Sequence, residues 1–461
     1  MKQSRNINMT TGNPTRLLAA FALPMLIGNL FQQAYNLVDS MIVGRFVGAN
    51  ALAAVGSTGA VTFLFFSVCN GISSGSGVVT SQYFGAGDTV KTKRAIANAA
   101  YLMFISSFVM GLAAFLAAPG MLGLMGTPED ILPDAITYMR MSCIGVPLIG
   151  VYNYSSSMLR ALGDSRTPLY FLVFACFLNA AMDVLFVCVF HMGVFGAALA
   201  TIIAQMISGL GCLLYALRHN PYFMFSRRDW QVDPVIIKHS VRLGLPLAMQ
   251  WSLIAVSTTA LQAFVNSFGT SAMAAFTATT RLEQLLQQPY GSMSAALATY
   301  AGQNYGARRM DRVKNGLKHG MMMSAVFTAF MLLIMQLFGN QIISIFVADE
   351  EVIRIGGTAL RMTSWFYIFL ATIYMCRGIL NGIGDALFAF INGVVEVTCR
   401  IGLPMLVVMI PTVGMWGIWW TTGLTWMISA IFCLLRYFSW RRKASDAGSV
   451  VAQDEAEMQA E

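Results

Sequence analysis

IANAAYLMFISSFVMGLAAFLAA, Ile96–Ala118, runs for 23 residues without one charged side chain. About 20 such residues cross a bilayer core as a helix, so the stretch reads as a transmembrane span. Working outward, Pro168–Phe190, with Asp183 as its only charged residue, and Ala325–Phe338 are further apolar runs. Over the 461 residues, 57% are hydrophobic and 11% charged, where a soluble domain carries roughly 25% charged. A water-soluble fold has too little interior to hide that much apolar surface. The expected class is an all-α integral membrane protein.

Reading every run gives about 12 transmembrane helices: 15–43, 52–84, 95–118, 135–159, 167–190, 194–217, 241–267, 271–300, 317–338, 354–378, 386–409 and 415–438. The polar start and the length of the first run predict a retained helix rather than a cleaved leader. Eight cysteines (Cys69, Cys143, Cys176, Cys188, Cys212, Cys376, Cys399 and Cys433) stand singly in apolar runs, without metal-ligand or redox spacing. They read as packing residues, and no metal site is expected beyond a possible sodium ion.

The formal charge of +8 is explained by topology. With twelve spans, the segments on the side of the termini hold 23 of the 29 Lys and Arg, with Arg377 counted among them. The opposite loops are acidic, with Glu129, Asp130 and Asp134 in one and Asp349, Glu350 and Glu351 in another. The positive-inside rule then places both termini in the cytoplasm, and no nucleic-acid partner is needed. The expected location is the bacterial cytoplasmic (inner) membrane.

The chain repeats itself at a constant offset of 221 residues. SQYFGAG (81–87) falls opposite GQNYGAR (302–308), MLRALGD (158–164) opposite ILNGIGD (379–385), and GVFGA opposite GMWGI. Each half holds an even number of spans, so the halves enter the membrane in the same sense, as two six-helix pseudo-symmetric lobes built as parallel repeats. The expected organisation is a cytoplasmic N-terminal segment (1–14), an N-lobe (15–217), an inter-lobe linker (218–240), a C-lobe (241–438) and a disordered cytoplasmic tail (439–461).

Gly71-xxx-Gly75 and Gly302-xxx-Gly306 have the spacing of close helix approach. Residues 71–75 also read G-x-S-x-G, but inside an apolar span rather than at a strand-turn-helix elbow, so no serine hydrolase is expected. No phosphate loop or zincin motif appears. The chain is not expected to be an enzyme, no cofactor is expected, and uphill movement of a solute has to draw on an ion gradient. A sensor would need an output domain for which the chain has no room.

An ionisable side chain at bilayer depth is costly and marks function by default. Six stand there: Asp39, Asp183, Arg281, Glu283, Glu396 and Arg400. Asp39 closes a one-faced stripe with Gln32, Tyr35 and Asn36 on the first helix. Asn179 and Asp183 share a face of the fifth. Either set suits protonation exchange or ligation of Na⁺ through oxygens, as well as plain helix-helix hydrogen bonding. Glu396 and Arg400, four apart, read as a self-compensating structural ion pair. Arg281 and Glu283, two apart, face different ways and need partners elsewhere, in gating, in a substrate pocket or as helix ties.

Taken together, these features resemble the multidrug and toxic compound extrusion (MATE) transporters, from about Pro24 to Phe438. The resemblance rests on Pro24 and Pro246 near the start of each half, YNLVDSMIVGRFVG with Asp39, the QYFGAG and QNYGA turns, the GD turns at Asp164 and Asp385, and NAAMD at 179–183. It implies a cation-coupled antiporter that expels amphipathic or cationic organic compounds in exchange for H⁺ or Na⁺, its lobes alternating between inward and outward openings. The implied cation site is Asp39, Asn179 and Asp183 with Thr201 and, in support, Asn153. At the C-lobe positions where NorM-like members carry acids, this chain has Gln250-Trp251 and Phe369-Leu370-Ala371. The DinF and MepA-like branch, which shares TTRLEQLLQQP with its Arg281 and Glu283, is the nearer likeness. The competing expectation is a flippase or exporter of a lipid-linked or other amphiphilic metabolite. Two full lobes in one chain make a monomer sufficient.

Overall fold

The computed structural model describes residues 6–407 and 413–460. Lys2, Arg5 and the end of the eleventh expected span (408–409) lie outside the described residues. Among those described, the fold is helical throughout, with no strand. The first six long helices are α1 (Pro14–Ile42), α2 (Ala49–Gly85), α3 (Thr89–Leu124), α4 (Leu132–Ala161), α5 (Arg166–Asp183) and α6 (Gly193–His219). There follow α7 (Pro234–Val265), α8 (Thr270–Gly306), α9 (Met310–Ser344), α10 (Glu350–Ser364), α11 (Tyr367–Gly382), α12 (Ala386–Val407) and α13 (Gly417–Ala460).

Among the described residues, nine helices are long and apolar enough to cross a membrane. A tenth span is the broken pair α10 and α11, bent by 53° at residues 365–366. The other two expected spans fall on α7 and α8, which at 32 and 37 residues exceed a bilayer core at about 1.5 Å per residue. α8 carries Arg281, Glu283, Gln284, Gln287 and Gln288, and its polar interior is taken up below. α13 continues to Ala460, past the 438 at which the sequence reading ends the last span. The side chains beyond Lys443, where a disordered tail is expected, lie outside the description.

The chain packs as two compact units: Met1–Thr11 with Ala19–Ser252, and Gly12–Leu18 with Leu253–Glu461. The division falls inside α7, not in the 218–240 segment read as a linker. The reason is local packing within the first unit. Residues 221–233 fold back along α3, where Lys93 donates to the Met224 carbonyl (2.8 Å) and Tyr101 to that of Trp230 (3.0 Å). The fully buried Asn98 donates to the Gln231 carbonyl (3.1 Å) and accepts from the Asp233 amide (2.9 Å).

The beginning of α7 then lies against α2. A Cβ on Gly71 would stand 2.5 Å from the Gly244 carbonyl and 2.6 Å from the Ala248 Cβ, while one on Gly56, also in α2, would meet nothing within 4 Å. The Gly71-xxx-Gly75 spacing is thus a backbone-to-backbone approach, as small-residue packing between membrane helices requires. Ser73 between those glycines donates to the Asn153 carbonyl (3.0 Å) and holds α2 to α4 rather than serving as a nucleophile. Gly71→Ala is expected to cost about 1–3 kcal/mol by overpacking, whereas Gly56→Ala is neutral or favourable by helix propensity. Thermal unfolding of the two purified variants in detergent checks this, and equal melting points would refute the contact.

The repeated GD turns share one cause. Gly163 and Gly384 sit at φ +87° and +93°, the left-handed geometry with which glycine ends a helix. The following amides close the same wide turn, Asp164 onto the Leu159 carbonyl and Asp385 onto that of Leu380. The aspartates are then used differently. Asp164 accepts from the Arg166 and Thr167 amides and the Thr167 hydroxyl, which caps α5. Asp385 accepts from Arg436 of α13 at 2.7 Å.

Candidate functional site

α1 delivers Tyr35 and Asp39, one turn apart, to the interior of the first unit, while Gln32 and Asn36 of the same expected stripe are exposed. α5 delivers Asn179 (1% exposed) and Asp183 (0%) opposite them. Thr201 of α6 joins the two helices, because its hydroxyl oxygen lies 3.3 Å from the Tyr35 hydroxyl and accepts from the Asn179 amide at 3.3 Å. The Asp39 and Asp183 carboxyls face each other within hydrogen-bonding reach. Tyr138 of α4 lies within electrostatic reach of both.

The balance of donors and acceptors is lopsided. Asp39 Oδ1, both Asp183 oxygens and Asn179 Oδ1 are buried without a hydrogen-bond donor. Buried polar atoms are almost always paired, and an unpaired one costs several kcal/mol at most depths. Two facing carboxyls and an amide oxygen accept only. What such a set lacks is a proton between the carboxyls or a hard cation held by oxygens. Among the described residues, no three His, Cys, Asp or Glu side chains gather as a transition-metal site would require.

One turn after Asp39 and directly after Asp183 the helix changes its winding. Val43–Val47 follows α1 as a π-helical turn, and Val184–Val189 follows Asp183 as another. Such turns are rare and concentrate at functional positions. They put Val43 and Val187, both buried, into one apolar cluster with Ala51, Val194 and Ala197, packed against Tyr138. The carboxyl pair is therefore closed by hydrocarbon at the ends of α1 and α5.

Asp39, Asn179, Asp183, Thr201 and Tyr35 thus come together as one cluster. Asn153 does not join it by any described hydrogen bond; its contribution is the backbone carbonyl that accepts Ser73. In the second unit Arg281 is exposed and Glu283 buried, so the two do face apart. The expected pairing of Glu396 with Arg400 is corrected. Glu396 pairs with Arg377 of α11 at 2.6 Å, and Arg377 also donates to Asn392, whose amide reaches the Ser429 carbonyl. Across the interface of α11 and α12 Arg377 reaches the Glu396 carboxylate, while among the described residues Arg400, four residues on, makes no ion pair with it. Arg377 is accordingly not a loop cation: it lies within α11, 9% exposed.

Sequence reasoning missed Tyr138 and Arg377. Tyr138 gave no signal, being one aromatic residue in an apolar run. Arg377 was hidden by placing the end of its span one residue beyond it.

A duplicated bundle of membrane-length helices with a donor-free carboxyl pair buried inside one half has the makings of a transporter. The MatE family model matches this chain twice, over residues 24–185 and 246–406. A Bacillus subtilis relative described as a probable multidrug resistance protein, YpnP, is 30% identical over 441 residues, covering 94% of this chain and 97% of its own. A Shewanella oneidensis relative described as an FAD transporter is 27% identical, covering 85% of this chain and 86% of its own. A solved MATE transporter in its bent conformation has the same fold, with a TM-score of 0.90 at 22% identity over 96% of this chain and all of that one. The chain belongs to the MATE family of multidrug efflux transporters and is a multi-pass membrane protein.

Proposed function

We propose that this protein is a secondary antiporter that exports amphipathic or cationic organic compounds in exchange for H⁺ or Na⁺ bound at Asp39, Asn179 and Asp183. The observation that carries the reading is the set of four buried oxygens with no donor. An exchangeable cation supplies what they lack, and its departure leaves two like charges facing each other. Loading draws α1 toward α5 beneath the apolar cluster of the π-helical turns, and unloading loosens it. Thr201 and Tyr35 hold the cage in register and Tyr138 lines it. Both termini face the cytoplasm by the distribution of basic residues, and one chain suffices for activity.

A second reading, export of a larger amphiphilic metabolite, is favoured by the likeness to the relative described as an FAD transporter.

The test is uptake of a fluorescent cationic dye into vesicles holding the purified protein, with a proton or a sodium gradient imposed separately. Dye movement under one gradient identifies the ion. Movement under neither removes the antiport reading and turns attention to the metabolite.

A further inference from the structure

The segment between α6 and α7 carries charges of both signs, but its two acids are already engaged. Asp229, 7% exposed, accepts from the Ser226 amide (2.6 Å) and hydroxyl (2.8 Å), and Asp233 accepts from the Val235 and Ile236 amides at the start of α7. Arg227 and Arg228, in the same turn as Asp229, are exposed, and among the described residues neither forms an ion pair. The charge this turn presents outward is therefore positive. Exposed apolar side chains flank the two arginines, Met224 before them and Trp230 and Val232 after.

The depth of the turn is set by α3. Trp230 packs edge-on against Tyr101 at 5.7 Å and against Phe225 at 5.1 Å. Tyr101 shares a face of α3 with Phe104 and Phe108, which are 68% and 54% exposed and stack on each other. On the other side of Tyr101, α3 opens with Lys91, Lys93 and Arg94. In a helix that crosses a membrane, the change from basic residues to outward-facing apolar ones marks the level of the lipid headgroups. Tryptophan favours that level, because its ring is apolar with one polar edge. The turn is also built in advance of any ligand, since Lys93, Asn98 and Tyr101 of α3 donate to the backbone carbonyls of Met224, Gln231 and Trp230.

We propose that Met224, Arg227, Arg228, Trp230 and Val232 form a docking surface for anionic phospholipid of the adjoining leaflet, with the arginines on headgroup phosphates and the apolar side chains at the acyl-chain boundary. An acidic protein would match the two arginines, but it would have no use for an apolar rim at the depth where lipid begins. A basic pair beside Trp and aliphatic side chains is the composition that an anionic membrane surface selects.

The test is native mass spectrometry of the purified, delipidated full chain in a neutral detergent, with equal amounts of dioleoyl phosphatidylglycerol and dioleoyl phosphatidylcholine added. In its first bound lipid the parent is expected to favour phosphatidylglycerol by about twentyfold, roughly fivefold for each arginine beside an anionic surface. Arg227→Gln combined with Arg228→Gln brings the ratio to within about twofold of unity at an unchanged melting point, whereas the charge-matched control Arg442→Gln with Lys443→Gln keeps most of the preference. Trp230→Phe removes the part of the tryptophan fluorescence that dibrominated phosphatidylglycerol quenches first, which puts the bound lipid at this turn. Equal retention of the two lipids by the parent overturns the surface, as does a preference that survives the double arginine variant or falls equally in the control. Displacement of phosphatidylglycerol by polyglutamate overturns the lipid assignment in favour of an acidic protein.

Discussion

Asp39→Asn is expected to abolish gradient-driven dye movement, by at least about tenfold, without loss of folded protein. The substitution keeps the volume and removes the charge that a proton or sodium ion neutralises. If the Asp39 and Asp183 pair served only to hold α1 to α5, the variant would melt lower and transport would decline with it. The electrostatics argue for the opposite, since two facing carboxyls without a donor repel and removing one relieves the strain of their approach. The melting point in detergent is therefore expected to stay the same or rise while dye movement vanishes. Asp183→Asn is expected to behave alike, because the proposed exchange places one cation between both groups. A variant with normal gradient-driven transport would take the coupling role away from this cluster.

The second large effect is on stability. Arg377→Ala is expected to cost about 3–5 kcal/mol, because it leaves Glu396 buried and charged with no partner, and Glu396→Ala should cost as much in reverse. Replacing both with Leu and Met restores most of the loss, since an apolar pair of similar volume escapes the desolvation cost. Had Glu396 relied on Arg400 four residues on, the stake would be the ~0.2–0.5 kcal/mol of an ordinary i, i+4 pair. Arg400→Gln is thus expected to leave the melting point close to that of the parent. Thermal unfolding of the four variants separates the two arrangements, and a larger loss for Arg400→Gln than for Arg377→Ala would refute the pairing across α11 and α12.

The membrane class and the duplication follow from sequence because both are properties of composition and period. Hydrocarbon tolerates few charges, so spans announce themselves, and the left-handed glycine of a GD turn has few substitutes, so the turn survives in both halves. The Asp39, Asn179 and Asp183 cluster was legible for the same reason, as charge where charge is expensive. Thr201 and Asn153 were named only through the family likeness; the structure joins the first to the cage and leaves the second outside it.

What sequence alone determined is therefore the buried carboxylates Asp39, Asp183, Glu283 and Glu396 and the helices that carry them. Tertiary structure decided which charge meets which. Spacing along one helix measures only neighbours on that helix, while the energy of a buried ion depends on whatever the adjoining helices bring within a few ångströms. So Glu396 found Arg377 rather than Arg400, and Tyr138 came within electrostatic reach of Asp39 and Asp183 unannounced. The place where the chain divides into packing units was settled in the same way, by Asn98 gripping a segment that looked, letter by letter, like a linker and Gly71 receiving the start of α7 behind it.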